Sequence, residues 1–289
     1  MRRIQKSVMT AIMAVFAGLI LSPIVITFTN SIMTEQEIEM NYGLIGHVGS
    51  SVSASAQQFV NLKLLPDLVS IEQYSMLLIQ NSKYIAMFWN SVFMVVPIIA
   101  GQTLVAALAA YAFSKLRFRG RELLFLVYLF TMLMPYQVTL VPNYMMADQL
   151  GLLNHPSSII LPGIFAAFGV FMLRQFMMHI PYDYIEAAKI DGAGHLRIFW
   201  SIIAPLIKPG IAGLVILLFV DYWNMVEQPL IFLHDALKQP LSVYLSNINK
   251  GARGVAFAAS MLYMAPMVLL FLYMEPYFIE GVQLSGIKG

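Results

Sequence analysis

The chain has 289 residues, of which 59% are hydrophobic and 11% are Asp, Glu, Lys or Arg, and its mean hydropathy is +0.74. That balance excludes an ordinary soluble domain, in which about half the residues are apolar and about a quarter charged. The formal net charge of +2 gives no reason to expect nucleic acid as a partner, and the absence of cysteine permits an oxidising exterior without demonstrating one.

A spanning helix needs about 20 mostly apolar residues to cross a hydrocarbon core of roughly 30 Å. Six runs meet that need, near 8–30, 84–113, 123–141, 158–178, 208–227 and 255–276. The expected fold is therefore all-α integral membrane, a single domain over 1–289 with six transmembrane helices. Arg2, Arg3 and Lys6 precede the first run as in a secretory signal, but the apolar stretch is long and no small-x-small cleavage site follows it closely, so a retained first helix is expected. Segment 31–83 is long enough to fold over the membrane on the external side, and its polar patch Ser50–Gln58, "SSVSASAQQ", reads as a flexible connector. Pro97, Pro135 and Pro162 interrupt or end backbone hydrogen bonding within spans, as hinges or static kinks. The fifth run is the least clean, because Lys208, Pro209 and Gly210 stand at its start. Trp89 and Trp223 fall where an interfacial aromatic belt would place them. Asp221 and Glu275 each fall near a span end, where snorkelling or an interfacial pair accounts for them.

Cytoplasmic loops near span ends are enriched in lysine and arginine. An inside N-terminus leaves only Lys63, Lys83, Lys238, Lys250 and Arg253 outside, against the other twelve of the 17 basic residues. Both termini are then cytoplasmic.

On this topology the loop 179–207 between spans four and five is cytoplasmic, and it holds a polar stretch, "YIEAAKIDGAGHLRIFWSIIAPL", Tyr184 to Leu206. Asp183 is placed to cap a helix while Glu186, three residues on, reaches back as in a capping box. Gly192 and Gly194 are placed to end it. A helix of about two turns is too short to persist alone in water. On a 3.6 period Tyr184, Ala187, Ala188 and Asp191 share one face, and alanine permits close approach of another surface. The residues alone leave two readings open, a docking helix for a partner or a loop helix packed on its own protein.

The spacing Glu186-Ala187-Ala188, three residues, Gly192, nine residues, Ile202, one residue, then Ala204-Pro205 resembles the EAA loop of permease subunits in binding-protein-dependent ABC importers, with Ala204 where that pattern reads leucine. "LLPDLVSIEQYSMLL" (64–78), "AYAFSKLRFRGR" (110–121), "LGLLNHPSSIILP" (150–162), "YWNMVEQPLIFL" (222–233) and "YFIEGVQLSGIKG" (277–289) are similar to segments of carbohydrate permeases, and the resemblance is to the smaller, six-span partner of maltose-type importers. It implies a short coupling helix between spans four and five that sits in a cleft of an ATPase subunit, with Tyr184, Glu186, Ala187, Ala188, Asp191 and Gly192 at the contact. It also implies a second permease subunit, two ATPase subunits, an extracytoplasmic solute-binding protein and membrane lipid as partners, in a bacterial or archaeal cytoplasmic (inner) membrane. The last external segment, 228–254, would meet the binding protein through Gln239, Asn247, Asn249 and Lys250. The function implied is import of an oligosaccharide or related carbohydrate by alternating access, by a chain that is itself non-catalytic. No phosphate-binding G-x-x-x-x-G-K-[ST] loop occurs in the chain, so no cofactor is expected here, and ATP and Mg belong to the partner ATPase.

Three alternatives stay in view. One is an ABC permease for a peptide, an amino acid or a phosphate ester. Another is an integral membrane enzyme, which needs a catalytic polar constellation, whereas His47, His155, His179, His195 and His234 are scattered singly, without ligand spacing. The third is a self-sufficient secondary transporter, which usually carries buried charges and an internal repeat.

Overall fold

A computed structural model describes residues 2–42, 63–247 and 253–286, the side chains of 2–4 and 278–286 excepted. The patch Ser50–Gln58, His47, Asn249 and Lys250 lie outside the described residues. Those described are helical throughout apart from short connections and one isolated antiparallel bridge between Met33 and Val69. Four helical stretches are long and apolar enough to cross a membrane: Gln5–Ser31, Ser82–Lys115, Ser157–Met178 and Arg253–Tyr277. Two further pairs reach that length only if each bent pair is taken as one span, which gives up to six. The chain divides into two compact units.

The first unit comprises Met1–Ile85 and Tyr244–Pro266. It holds α1 (Arg2–Ser31), α2 (Glu35–Tyr42), the single turn α3 (Glu72–Ser75), the start of α4 (Ser82–Lys115), and further along the chain the second half of α14 (Leu241–Ser246) and the start of α15 (Arg253–Gly286). Helix α1 is apolar on every side, and none of its spanning window is buried by the rest of the chain. A small core of Met33, Ile38 and Tyr42 packs against Phe257. The Glu35 carboxylate accepts the backbone N–H groups of Arg253 at 3.0 Å and Gly254 at 2.9 Å, so it caps the start of α15, where unpaired amides favour a negative charge. Glu37, buried on α2, accepts the Asp67 N–H at 2.9 Å and pairs with Lys63 at 2.9 Å.

The second unit comprises Ala86–Val243 and Met267–Gly289. Its principal core is built from Ala106, Ala107, Ala110 and Tyr111 of α4, from Val170, Leu173 and Met177 of α8 (Phe168–Met178), and from Leu214 and Leu218 of α12 (Lys208–Trp223). Small residues let these helices meet closely. A Cβ added at Gly169 would lie 2.9 Å from the Ala106 Cβ, and one added at Gly210 would lie 2.7 Å from the Phe176 ring.

The expected third run, 123–141, is not one helix. It is α5 (Arg121–Leu133) and α6 (Tyr136–Gln149), bent by 96°. Proline pushes its predecessor out of the helical region, and Met134 is extended at φ −71°, ψ 123°, while Pro135 takes the capping position of α6. Pro97, by contrast, stands inside the unbroken α4, and Pro162 lies in α7 (Ser157–Ile164), which ends two residues later. The fifth run also changes. Pro209 falls in the first turn of α12, where its missing N–H is not needed, so it starts the helix instead of interrupting it. That helix ends at Trp223, short of 227, and meets the preceding stretch His195–Leu206 at 75°. Trp223 itself is 1% exposed and stacks on Phe219 with ring centroids 5.0 Å apart, so it is a core residue and not part of a lipid-facing belt. Trp89 is exposed.

Candidate functional site

The polar loop is folded as expected in outline. Helix α9 spans Asp183–Ile190, two turns, and Gly192 closes it at φ +77°, a conformation that L side chains rarely adopt. Its start differs from expectation. Tyr182, not Asp183, occupies the cap position, no side chain caps the helix, and the Tyr182 carbonyl accepts the Ile185 and Glu186 N–H groups. Asp183 is already inside the first turn, where its charge complements the helix dipole without a capping bond. Gly194, extended at φ −74° and ψ 162°, does not end α9; it precedes the next turn, α10 (His195–Ile198). A wide turn over Phe199–Ile203 and the short α11 (Ala204–Leu206) then lead to α12.

What holds so short a helix is visible behind it. Ile185 and Ala188 are buried in the principal core, together with Ile198, Phe199 and Ile203. The expected four-residue face is therefore corrected. Ala188, 7% exposed, packs inward and offers no surface to a partner, whereas Tyr184, Ala187 and Asp191 remain exposed, with Glu186 beside them. Ile190, at 87% exposure, is the residue the sequence reading missed, along with the exposed Leu196 and Trp200. The signal was there, a second isoleucine at the end of the helix, on a side well away from Ile185.

Three contacts tie this loop to the spans. Tyr111 of α4 shares a hydrogen bond with Nδ1 of His195 at 3.1 Å, and its ring lies 5.5 Å from that of Phe199. Lys115, at the end of α4, donates to the Ile180 carbonyl at 2.5 Å. Arg117 stands 5.2 Å over the Tyr182 ring. Nearby, Arg174 of α8 is nearly buried; it lies 3.9 Å over the Phe125 ring, donates through Nε to the Phe113 carbonyl at 3.3 Å and pairs with Glu122 at 3.1 Å. That set satisfies a buried cation through a ring face and a carbonyl as much as through its acid.

The segment 228–254 is held in place over much of its length. In the second unit it contains α13 (Glu227–Phe232) and a single 3-10 turn, Ala236–Lys238. Asn90 Nδ2 donates to the carbonyls of Leu237 at 2.6 Å and Gln239 at 3.1 Å, and Ser91 Oγ accepts the Leu241 N–H at 2.8 Å. Asn154, at φ 58°, accepts the Asp235 N–H through its side chain at 3.0 Å. The Gln239 amide is engaged with the Leu233 carbonyl at 2.9 Å, and Leu237 beside it is exposed. Asn247, in the first unit, is exposed.

A groove of about 840 Å³ opens in the second unit. It is lined from the α6 start by Tyr136, Thr139 and Asn143, from α7 by Pro162 and Gly163, and from the α12 end onward by Asp221, Tyr222, Glu227 and Gln228. Asp221 thus lines a hollow of mixed polar and apolar character, a place the sequence reading did not give it. Among the described residues no group of three His, Asp or Glu side chains could hold a metal ion.

Apolar helices of spanning length, a groove lined by two carboxylates and a short helix braced from behind fit an integral membrane subunit of the transport class. The family described as "Binding-protein-dependent transport system inner membrane component" matches residues 82–279, and the chain belongs to that family. It is 29% identical over 238 residues to the arabinooligosaccharides transport system permease protein AraQ of Bacillus subtilis, covering 80% of this chain and 83% of that one. It is 33% identical over 201 residues to the sn-glycerol-3-phosphate transport system permease protein UgpE of Yersinia pestis, covering 68% of this chain and 72% of that one. Among solved structures it resembles a bacterial ABC transporter involved in the import of the acidic polysaccharide alginate, with a TM-score of 0.75, 26% identity, and coverage of 96% of this chain and 97% of that chain.

Proposed function

We propose that this chain is the permease subunit of an ATP-driven importer that translocates a carbohydrate by alternating access, with a solute-binding protein delivering it from outside. The second permease, the two ATPase subunits and the ATP and Mg they hold lie beyond this chain, which performs no catalysis and takes no cofactor of its own. Both termini are cytoplasmic on this reading, and α9 is the element through which ATPase closure reaches the spans. The observation that carries the proposal is the two-sided character of α9. Ile185 and Ala188 anchor it in the core shared by α4, α8 and α12, while Glu186, Ala187, Ile190 and Asp191 are left outside for a partner. A force on the outer face therefore acts on the spans directly, through packing that transmits strain because it is dense. The names of the relatives, two of which carry sugar oligomers or polymers, support carbohydrate as the solute class over peptides and amino acids. Gln239 and Asn247, with Asn249 and Lys250, are proposed to meet the binding protein, the exposed Leu237 near Gln239 adding to that surface.

The experiment is uptake and binding-protein-stimulated ATPase activity in the reconstituted complex, comparing wild type with Glu186→Ala and Gly192→Pro after confirming assembly. Proline cannot adopt the φ of +77° at position 192. Loss of uptake, with ATPase activity abolished or unresponsive to the binding protein, supports transmission through α9; unchanged uptake and stimulation in both variants refute it.

A further inference from the structure

The groove carries two carboxylates, Asp221 and Glu227, and among the described residues no Lys, Arg or His lines it. Neither acid is ion-paired among the described residues. At Ala166, Asp221 and Tyr222 the groove meets a second hollow of about 290 Å³, which Gln102 of α4 also lines. Gln102 is 1% exposed; its Nε2 reaches the Ala166 carbonyl at 3.5 Å, and its Oε1 has no partner. The Tyr136 hydroxyl, in the wall of the larger groove, is likewise buried without a partner. Buried polar atoms left unpaired are costly and uncommon. An acceptor at Gln102 and a hydroxyl at Tyr136 both suit a solute rich in hydroxyl groups.

Charge then decides which hydroxyl-rich solute. Like charges brought together in a partly desolvated cleft are strongly disfavoured, and that repulsion is a means of rejecting wrong partners. We propose that this groove is a solute subsite of the pathway, and that Asp221 and Glu227 restrict it to neutral or amino-bearing glycans, excluding uronates and phosphate esters. The proposal rests on the carbohydrate-import reading and separates this chain's solute from the acidic ones that two of its relatives' names carry.

The test is equilibrium binding of three radiolabelled probes, an arabinose trimer, a glucosamine trimer and a galacturonate trimer, to the assembled transporter in detergent without its binding protein. In the wild type at low salt the galacturonate trimer binds at least about ten-fold more weakly than the arabinose trimer, and the gap narrows between about 0.05 and about 0.5 M NaCl as the carboxylates are screened. The isosteric variants Asp221→Asn and Glu227→Gln, separately and together, cut the ratio to below about three-fold. Equal or tighter galacturonate binding by the wild type, a gap that salt and both variants leave unchanged, or binding of none of the probes overturns the proposal. Binding-protein-stimulated ATPase and uptake are measured on the same preparation. Failure of those with every glycan overturns the permease reading as well, whereas their persistence leaves that reading standing and the ratio alone judges the charge rule.

Discussion

The substitution Gly169→Ala tests the close meeting of α8, α4 and α12. The added methyl would stand 2.9 Å from the Ala106 Cβ and 3.2 Å from Leu214 Cδ2. Leucine can rotate away, but the Ala106 Cβ is fixed to the α4 backbone, so the helices themselves must part by about 0.6 Å to restore an ordinary carbon contact near 3.5 Å. Overpacking of this kind costs about 1–3 kcal/mol, and alanine's better helix propensity returns at most about 1 kcal/mol. The net is a loss of about 1–2 kcal/mol, or a fall of about 2–8 °C in melting temperature for a unit of this size. The assay is the midpoint for loss of monodisperse protein on heating in detergent. Gly18→Ala, where an added Cβ meets nothing within 4 Å, is the control and leaves the midpoint unchanged or slightly raised. Ala106→Gly placed on top of Gly169→Ala vacates the space the new methyl needs; it costs about 1 kcal/mol of helix propensity by itself, so the relief is read as a coupling above about 1 kcal/mol between the two substitutions. A Gly169→Ala variant that melts with the wild type, or a double variant whose loss equals the sum of the two single losses, refutes the argument that the α8–α4 approach is set by Gly169.

Two further outcomes follow from charges the fold has placed. At Arg174, Glu122→Gln lowers stability by less than about 1 kcal/mol because the Glu122 side chain is 64% exposed, whereas Arg174→Met loses the ring and carbonyl contacts as well and costs about 1–3 kcal/mol; equal melting shifts for the two variants would place the energy in the ion pair instead. At Glu37, burial pushes the carboxyl up, but the Asp67 N–H and the Lys63 ammonium outweigh it and hold the group below its ordinary value of 4.5. A lowered folded-state value stabilises above the ordinary one and is lost as the pH falls through it, so the melting advantage of wild type over Glu37→Gln is full at neutral pH and vanishes in acid below that range; an advantage independent of pH sinks the assignment.

How far the sequence led differs from element to element. Helix α4 was legible because its apolar run is long and Pro97 fails to break it. The two turns of α9 and their closure at Gly192 were legible because glycine marks a positive φ. The cap was not, since Asp183 and Tyr182 compete for one position and the Tyr182 backbone alone serves it. Pro135 announced an interruption but not an angle of 96°, which depends on what α5 and α6 pack against. The inward turn of Ala188 was hidden because helical period groups residues by face without saying which face the core takes. Asp221 was read as an interfacial charge because its place beside Tyr136 and Gln228 is made by elements more than 80 residues apart in one case and adjacent in the other. The anchoring of 236–241 by Asn90, Ser91 and Asn154 rests on side-chain bonds to distant backbone, which leave no periodic trace.

The bareness of α1 bears on how such a chain can change over time. The family match begins at residue 82, and no residue in the spanning window of α1 is buried by the other described residues. Substitutions in that window meet no close packing within this chain of the kind found at Gly169 or Gly210, in contrast to Asn30 and Ser31 at the buried end of the helix. What constrains its sequence is then lipid and the proposed second permease subunit, not the core of its own chain.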